Sequence, residues 1–401
     1  MTTCAISKRV ATFLGIAALV IALAPPVSQG AEKPIRIGVL FPLTGPLAPA
    51  GQNARKGIEL AQENINKKGG ILGRKVVLIF EDDKAEPPVA AERARKLIGQ
   101  DKVDFVMGTG SSATTNAVIP VTERAKKLFI YTFEGEKKAC QRYVFTSGGT
   151  PYQALSAFVP YYVKNFGKKW YFVGTDYVFP HSVNAQVKSQ LKELGATVVG
   201  EEYSPFGTTE WSTVITRVER TKPDVLFLAA PGTEGITFFK QAKNFGLDKK
   251  MAITGYPTFL ASFYPAFQKD VEGIVSPELY TETFDHPANK EYSRLYHAKY
   301  KTPFPIDSLA TSAYIGLHLL KAGVEKAKSI DRKKVKAALE GITIDTPVGE
   351  MHVRASDHQP KMRGFITKVI NGKFEIVAKT PQLLDPDTCK GRWGKDKSAL
   401  K

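Results

Sequence analysis

Ile35-Arg36-Ile37-Gly38-Val39-Leu40-Phe41-Pro42-Leu43-Thr44-Gly45-Pro46 is the stretch on which the fold turns. Its first six residues form a short, mostly apolar run, and a Gly/Pro loop over residues 42–51 bounds it, which is the signature of a strand followed by a turn. A helical pattern follows at 54–66, with Ile58, Leu60, Ala61 and Ile65 offering an apolar side and Gly69-Gly70 stopping it. The pattern then repeats. Residues 75–81 read as a strand ending in Asp82-Asp83, 87–100 as a helix, 103–108 as a strand, 113–126 as a helix and 128–131 as a strand. Strands alternating with helical stretches of about ten residues or more predict βαβ units and a parallel sheet.

The alternation restarts after residue 150. Helices are predicted at 155–166, 184–194, 211–221 and 235–244, and strands at 170–174, 197–202, 225–228 and 252–254. The chain therefore reads as two similar α/β halves, each with an open sheet. Residues 276–380 add helices at 290–301, 308–326 and 332–340. A hairpin is predicted from 348–354, 363–370 and 373–378, with Asn371-Gly372 as its turn. The 401 residues, 43% hydrophobic and 24% charged, suit two globular domains of about 150 residues each.

The N-terminus carries a targeting pattern. Lys8 and Arg9 precede an uncharged apolar run at 10–24, which Pro25 and Pro26 break before Ser28, Gly30 and Ala31. Residues 1–30 therefore read as a cleaved signal peptide, the alternative being an uncleaved anchor. Export would leave two cysteines, Cys140 and Cys389, in an oxidising compartment. They read either as one disulfide or as two buried thiols. The net charge of +17 is spread in pairs such as Lys67-Lys68, Lys126-Lys127 and Lys333-Lys334, not gathered into a basic arm. That distribution speaks for solvated faces and against a nucleic-acid partner.

In open parallel sheets, ligands bind beyond the carboxyl ends of the strands. Six loops at such ends are rich in Gly, Pro, Ser, Thr and aromatics, which suits a small polar cleft. The sharpest is Gly108-Thr109-Gly110-Ser111-Ser112, at the predicted start of a helix. Free N–H groups there suit a carboxylate or amide oxygen, with the glycines admitting a close approach and Ser111 and Ser112 adding hydroxyls. The other reading is that one serine simply caps the helix. Gly108-x-Gly110 lacks the third glycine of a dinucleotide fingerprint, and no phosphate-loop lysine follows. No His-Glu-x-x-His or Gly-x-Ser-x-Gly pattern occurs, and the six histidines are scattered, so no enzyme, metal site or cofactor is predicted. His181 reads as a polar wall residue.

These residues resemble the periplasmic leucine/isoleucine/valine-binding protein family, the binding components of ABC importers. The likeness covers 33–380 and rests on the 35–46 opening and on the run from Gly51 to Gly69-Gly70-Ile71-Leu72-Gly73-Arg74. It implies a type I periplasmic binding protein: two α/β lobes with open parallel sheets, joined by a hinge of three strands and closing on ligand. The first lobe would comprise 33–149 plus 279–347, the second 150–278 plus 348–385, with 386–401 as a tail. Asp176-Tyr177-Val178-Phe179-Pro180 and Phe133-Glu134-Gly135-Glu136 look more like the urea- and short-chain-amide-binding branch. Phe133 stands where that branch usually has Tyr, and His181 where it usually has Arg.

The resemblance implies that Ser111 and Ser112 hold a ligand carboxylate or carbonyl, and that Thr132 and Phe133 continue that wall. Phe179, Ala230, Gly232 and Tyr256 would form the second lobe's wall. Glu134 would pair a ligand ammonium, and Tyr152 would approach from the hinge. The implied function is extracytoplasmic capture of an amino acid or an amide- or urea-like solute, delivered to an ABC permease in the inner membrane from the periplasm. Two alternatives stand beside it: a ligand sensor that docks on a regulator or receptor, and a binder of small aromatic carboxylates.

Overall fold

The computed structural model describes residues 1–3, 33–133, 141–380 and 383–384. Most of the expected signal peptide, Glu134, the cysteines Cys140 and Cys389, and the tail at 386–401 lie outside the described residues.

The first half runs β1 (Ile35–Phe41), α1 (Ala48–Lys67), β2 (Val76–Asp82), α2 (Pro87–Gly99), β3 (Phe105–Gly108), α3 (Ser112–Arg124), β4 (Phe129–Tyr131) and β5 (Val144–Thr146). Its strands form one parallel sheet in the order β2-β1-β3-β4-β5. The second half runs α4 (Pro151–Phe166), β6 (Lys169–Thr175), α5 (Val178–Glu193), β7 (Thr197–Ser204), α6 (Ser212–Thr221), β8 (Val225–Ala229), α7 (Thr233–Asn244) and β9 (Ala252–Gly255). Its sheet is also parallel, in the order β7-β6-β8-β9. These are the two lobes expected, and β5 is a strand that the sequence reading did not find. It is three residues long and too short to carry a pattern of its own.

The remainder comprises α8 (Tyr264–Phe267), β10 (Val275–Glu278), α9 (Pro287–Tyr300), α10 (Ser308–Ala327), α11 (Arg332–Leu339), β11 (Thr343–Thr346), β12 (Gly349–Val353), β13 (Pro360–Lys361), β14 (Phe365–Ile370) and β15 (Lys373–Lys379). α10 returns to the first lobe and packs along α1. The hairpin at Asn371-Gly372 forms as expected between β14 and β15, with φ of 51° and 76° at the two turn residues. The 348–354 segment does not join it. As β12 it pairs with β11 and β13 in a separate antiparallel sheet, while β14 takes β10 as its other neighbour. Alternation marks a segment as a strand but does not name its partner.

The central strands are buried on both faces: every residue of β3, β4, β8 and of β6 after Lys169 is buried. Parallel strands covered by helices on either side read as continuous apolar runs for this reason. One contiguous apolar cluster links the two sheets, from Ile35 and Val39 to Phe172 and Phe227. Both lobes lie within a single unit that starts at Lys33.

Candidate functional site

The carboxyl end of β3 leads directly into α3, and the turn between them builds the polar end of a cleft. Ser111 is the N-cap of α3: its Oγ accepts from the Thr114 N–H (3.2 Å), while its own N–H donates to Thr114 Oγ1 (3.2 Å). The capping reading therefore holds for Ser111. Ser112, the next residue, is 2% exposed, and its Oγ has no hydrogen-bond partner among the described residues. The N–H groups of Ser112 and Ala113 sit in the first turn, where a helix offers them no internal acceptor. A buried, unpaired hydroxyl beside N–H groups at the positive end of a helix has the chemistry to accept an oxyanion.

Two adjacent carboxylates at the end of β2 hold the loops around this point. Asp82 accepts from Leu43 N–H (2.8 Å), Lys84 N–H (3.0 Å) and Thr44 Oγ1 (2.6 Å), and so fixes the loop after β1. Burial raises the Asp82 pKa, but these hydrogen bonds outweigh it and leave the carboxyl below its usual range. Asp83 is fully buried and accepts from Ala85 N–H (2.9 Å) and, more weakly, from Gly110 N–H (3.4 Å). Burial pushes it up to about 6. Gly110 is required for a reason the sequence did not suggest. A Cβ there would lie 2.0 Å from Pro42 Cδ, so this glycine lets two loops of the same lobe pack together.

The rest of the cavity is apolar and comes from both lobes. The first lobe contributes Leu47, Ala50, Tyr131, Phe133 and Leu309 beside Gly110, Ser111 and Ser112. The second contributes Tyr177, Phe179, Pro231, Pro257, Leu260 and Phe263. Phe133 packs against Phe41 (6.0 Å between centroids), Phe179 against Tyr256 (6.4 Å) and Tyr177 against Phe206 (4.9 Å). The cavity holds about 460 Å³ of empty space, counting its open mouth. The lobes meet beside it: a Cβ on Gly232 would lie 2.9 Å from Pro46 O across the cleft.

Of the residues singled out from the sequence, Ser111, Ser112, Phe133 and Phe179 line the cavity. The others lie behind or beside it. Thr132 is fully buried next to Phe133, with its hydroxyl unpaired among the described residues. Ala230 and Gly232 flank Pro231, which is the lining residue of that loop, and the Ala230 N–H donates to Thr258 Oγ1 (3.0 Å). Tyr256 is fully buried and backs Phe179. Tyr152 is half-buried in the first turn of α4 and does not line the cavity. His181 pairs with Asp176 (2.7 Å) and stacks on Tyr203 (3.8 Å), also outside it. Leu260, Phe263 and Leu309 were missed. Each is an ordinary apolar residue whose role comes from where lobe packing puts it. No group of three or more His, Cys, Asp or Glu among the described residues is arranged to hold a metal ion.

Residues 34–373 match the family model described as periplasmic binding protein. The chain belongs to the periplasmic binding protein family. Among its relatives, it is 30% identical over 333 residues to the Leu/Ile/Val-binding protein BraC3 of Rhizobium johnstonii, covering 80% of this chain and 88% of that one. It is 28% identical over 336 residues to the Leu/Ile/Val-binding protein homolog 3 of Brucella melitensis, covering 81% and 88%. Among solved structures, it resembles the solute-binding protein of an R. palustris ABC transporter in complex with benzoate (TM-score 0.82, 23% identity, 89% of this chain and 99% of that one). This periplasmic binding protein thus has the type I fold of its family, and the family binds solutes and does no chemistry on them.

Proposed function

We propose that this periplasmic binding protein is the extracytoplasmic component of an ABC importer and captures a compact monocarboxylate with an apolar, ring-sized body. The unpaired Ser112 hydroxyl, set at the start of α3 and facing a cavity otherwise walled by aromatic and aliphatic side chains, carries this reading. The carboxylate would accept from Ser112 and the first-turn N–H groups, and the body would fill the space between Phe133, Phe179 and Phe263. Benzoate, the ligand of the structural relative from R. palustris, has this shape. Urea would leave most of that wall without an apolar partner, which weighs against the amide reading. The mature protein would work in the periplasm after loss of residues 1–30 and dock on an inner-membrane permease. The lobes would divide at the boundaries given above, with Cys140 joined to Cys389. A 2 Da mass gain of the purified mature chain on reduction tests that bond.

A second reading is a branched-chain amino acid, as the names of the two relatives suggest. It needs an acceptor for the ammonium, and Glu134, one residue beyond Phe133, is the candidate. A thermal-shift panel separates the readings, because a ligand that binds only the folded state raises its melting temperature. A shift with benzoate or 4-hydroxybenzoate supports the aromatic acid. A shift with leucine that Glu134→Gln abolishes supports the amino acid. Urea as the sole hit sinks both.

A further inference from the structure

Behind the cavity, a buried carboxyl sits where the lobes touch. Asp307 is 1% exposed and caps α10, accepting from the Ala310 N–H (2.7 Å) through Oδ1. Its Oδ2 accepts from Asn53 Nδ2 of α1 (3.2 Å). The 3-10 turn Ala261–Phe263, from the loop after β9 in the second lobe, packs on both α1 and α10. This turn brings Ser262 beside Asp307. The Ser262 hydroxyl is buried and pulls on that carboxyl, and it has no other hydrogen-bond partner among the described residues. The same turn supplies Phe263 to the cavity, and α10 supplies Leu309. The contact between lobes and the solute wall are therefore one structure.

We propose that Asp307 couples solute capture to lobe closure: when the lobes close fully, the Ser262 hydroxyl and the Asp307 carboxyl hydrogen-bond to each other, and when they open, that carboxyl returns to water. The coupling rests on the reading of the chain as a two-lobed binder that closes, not on the identity of its solute. It has a protonic consequence. Burial raises the Asp307 pKa, against the opposing pull of the hydrogen bonds and of Lys56 on α1. The other titratable groups facing it are Tyr280 and, on α9, Tyr292 and Tyr296, all pushed upward by their own burial and away from neutral pH. The closed form therefore holds the Asp307 proton more tightly than the open form. Closure takes up a proton and strengthens as the pH falls.

The test is small-angle X-ray scattering of the solute-free mature protein from about pH 8 to about pH 5, with circular dichroism to verify folding. The wild type should contract as the pH falls. Asp307→Asn, which keeps a good cap without the charge, should be compact and unresponsive to pH. Ser262→Ala should be more open than the wild type at low pH. A wild type that does not contract, an Asp307→Asn variant that keeps the pH response, or a Ser262→Ala variant that follows the wild type would each overturn the proposal. A parallel series with saturating benzoate reads the solute assignment separately. If benzoate contracts none of the proteins while the pH response and its loss in Asp307→Asn persist, the solute assignment fails and the coupling stands.

Discussion

At the residue scale, adjacent serines differ in bonding: Ser111 caps α3, while the Ser112 hydroxyl is buried without a partner among the described residues. Ser112→Ala removes a donor with no structural partner, so it should weaken capture of a carboxylate by about 1.5–3 kcal/mol, roughly ten- to a hundred-fold in Kd, and leave stability almost unchanged. Ser111→Ala removes a cap and should lower stability by about 1 kcal/mol. Calorimetric titration and chemical denaturation on both variants separate the two effects. Asp83 makes a pH-dependent prediction. Its pKa rises on folding from 3.8 to about 6, so its stabilising contribution is complete below 3.8 and is lost as the pH rises through 6. The loss amounts to about 3 kcal/mol. Asp83→Asn should flatten the fall in stability across this window. His318 acts in the opposite direction. Burial pulls it down from 6.5 to about 4, so its contribution is complete above 6.5 and is lost as the pH falls through 4. Denaturation curves at stepped pH check both: the differences of Asp83→Asn and of His318→Gln from the wild type should run with opposite slopes.

At the element scale, what was legible follows from what periodicity encodes. The βαβ alternation from Ile35 onward fixed both parallel sheets, because buried parallel strands and the helices between them each leave a local pattern. The polar end of the site was legible too, since Ser111 and Ser112 sit at a helix start that the sequence announces. The pairing of β12 was not, because a strand's partner is a tertiary choice. Nor was the wall formed by Leu260, Phe263 and Leu309, which fold topology brings together from distant segments. Gly110 was read as letting a ligand approach the backbone; its place in the cavity lining agrees with that position, and its close packing on Pro42 was not legible. Gly110→Ala should drive a Cβ into Pro42, displace the start of α3, lower stability by about 1–3 kcal/mol and weaken capture by more than Ser112→Ala does. Denaturation and titration of the same variant check both parts.

At the scale of the whole molecule, two lobes each complete half of the cavity. The close passage of Gly232 against Pro46 makes one position a wedge. Gly232→Ala should hold the lobes apart and weaken capture at least tenfold. It should also cost the solute-free protein about 1–3 kcal/mol of stability, because φ 76° and ψ −148° are conformations that only glycine adopts readily. Scattering with and without solute should show less contraction than in the wild type. The proposed cleft receives a carboxylate at Ser112 and an apolar body against the aromatic wall. The most direct measurement is calorimetric titration of benzoate into the mature wild type and into Ser112→Ala. The wild type should bind one-to-one, and the variant roughly ten- to a hundred-fold more weakly. No heat of binding in the wild type, or equal affinity in the two proteins, would contradict it.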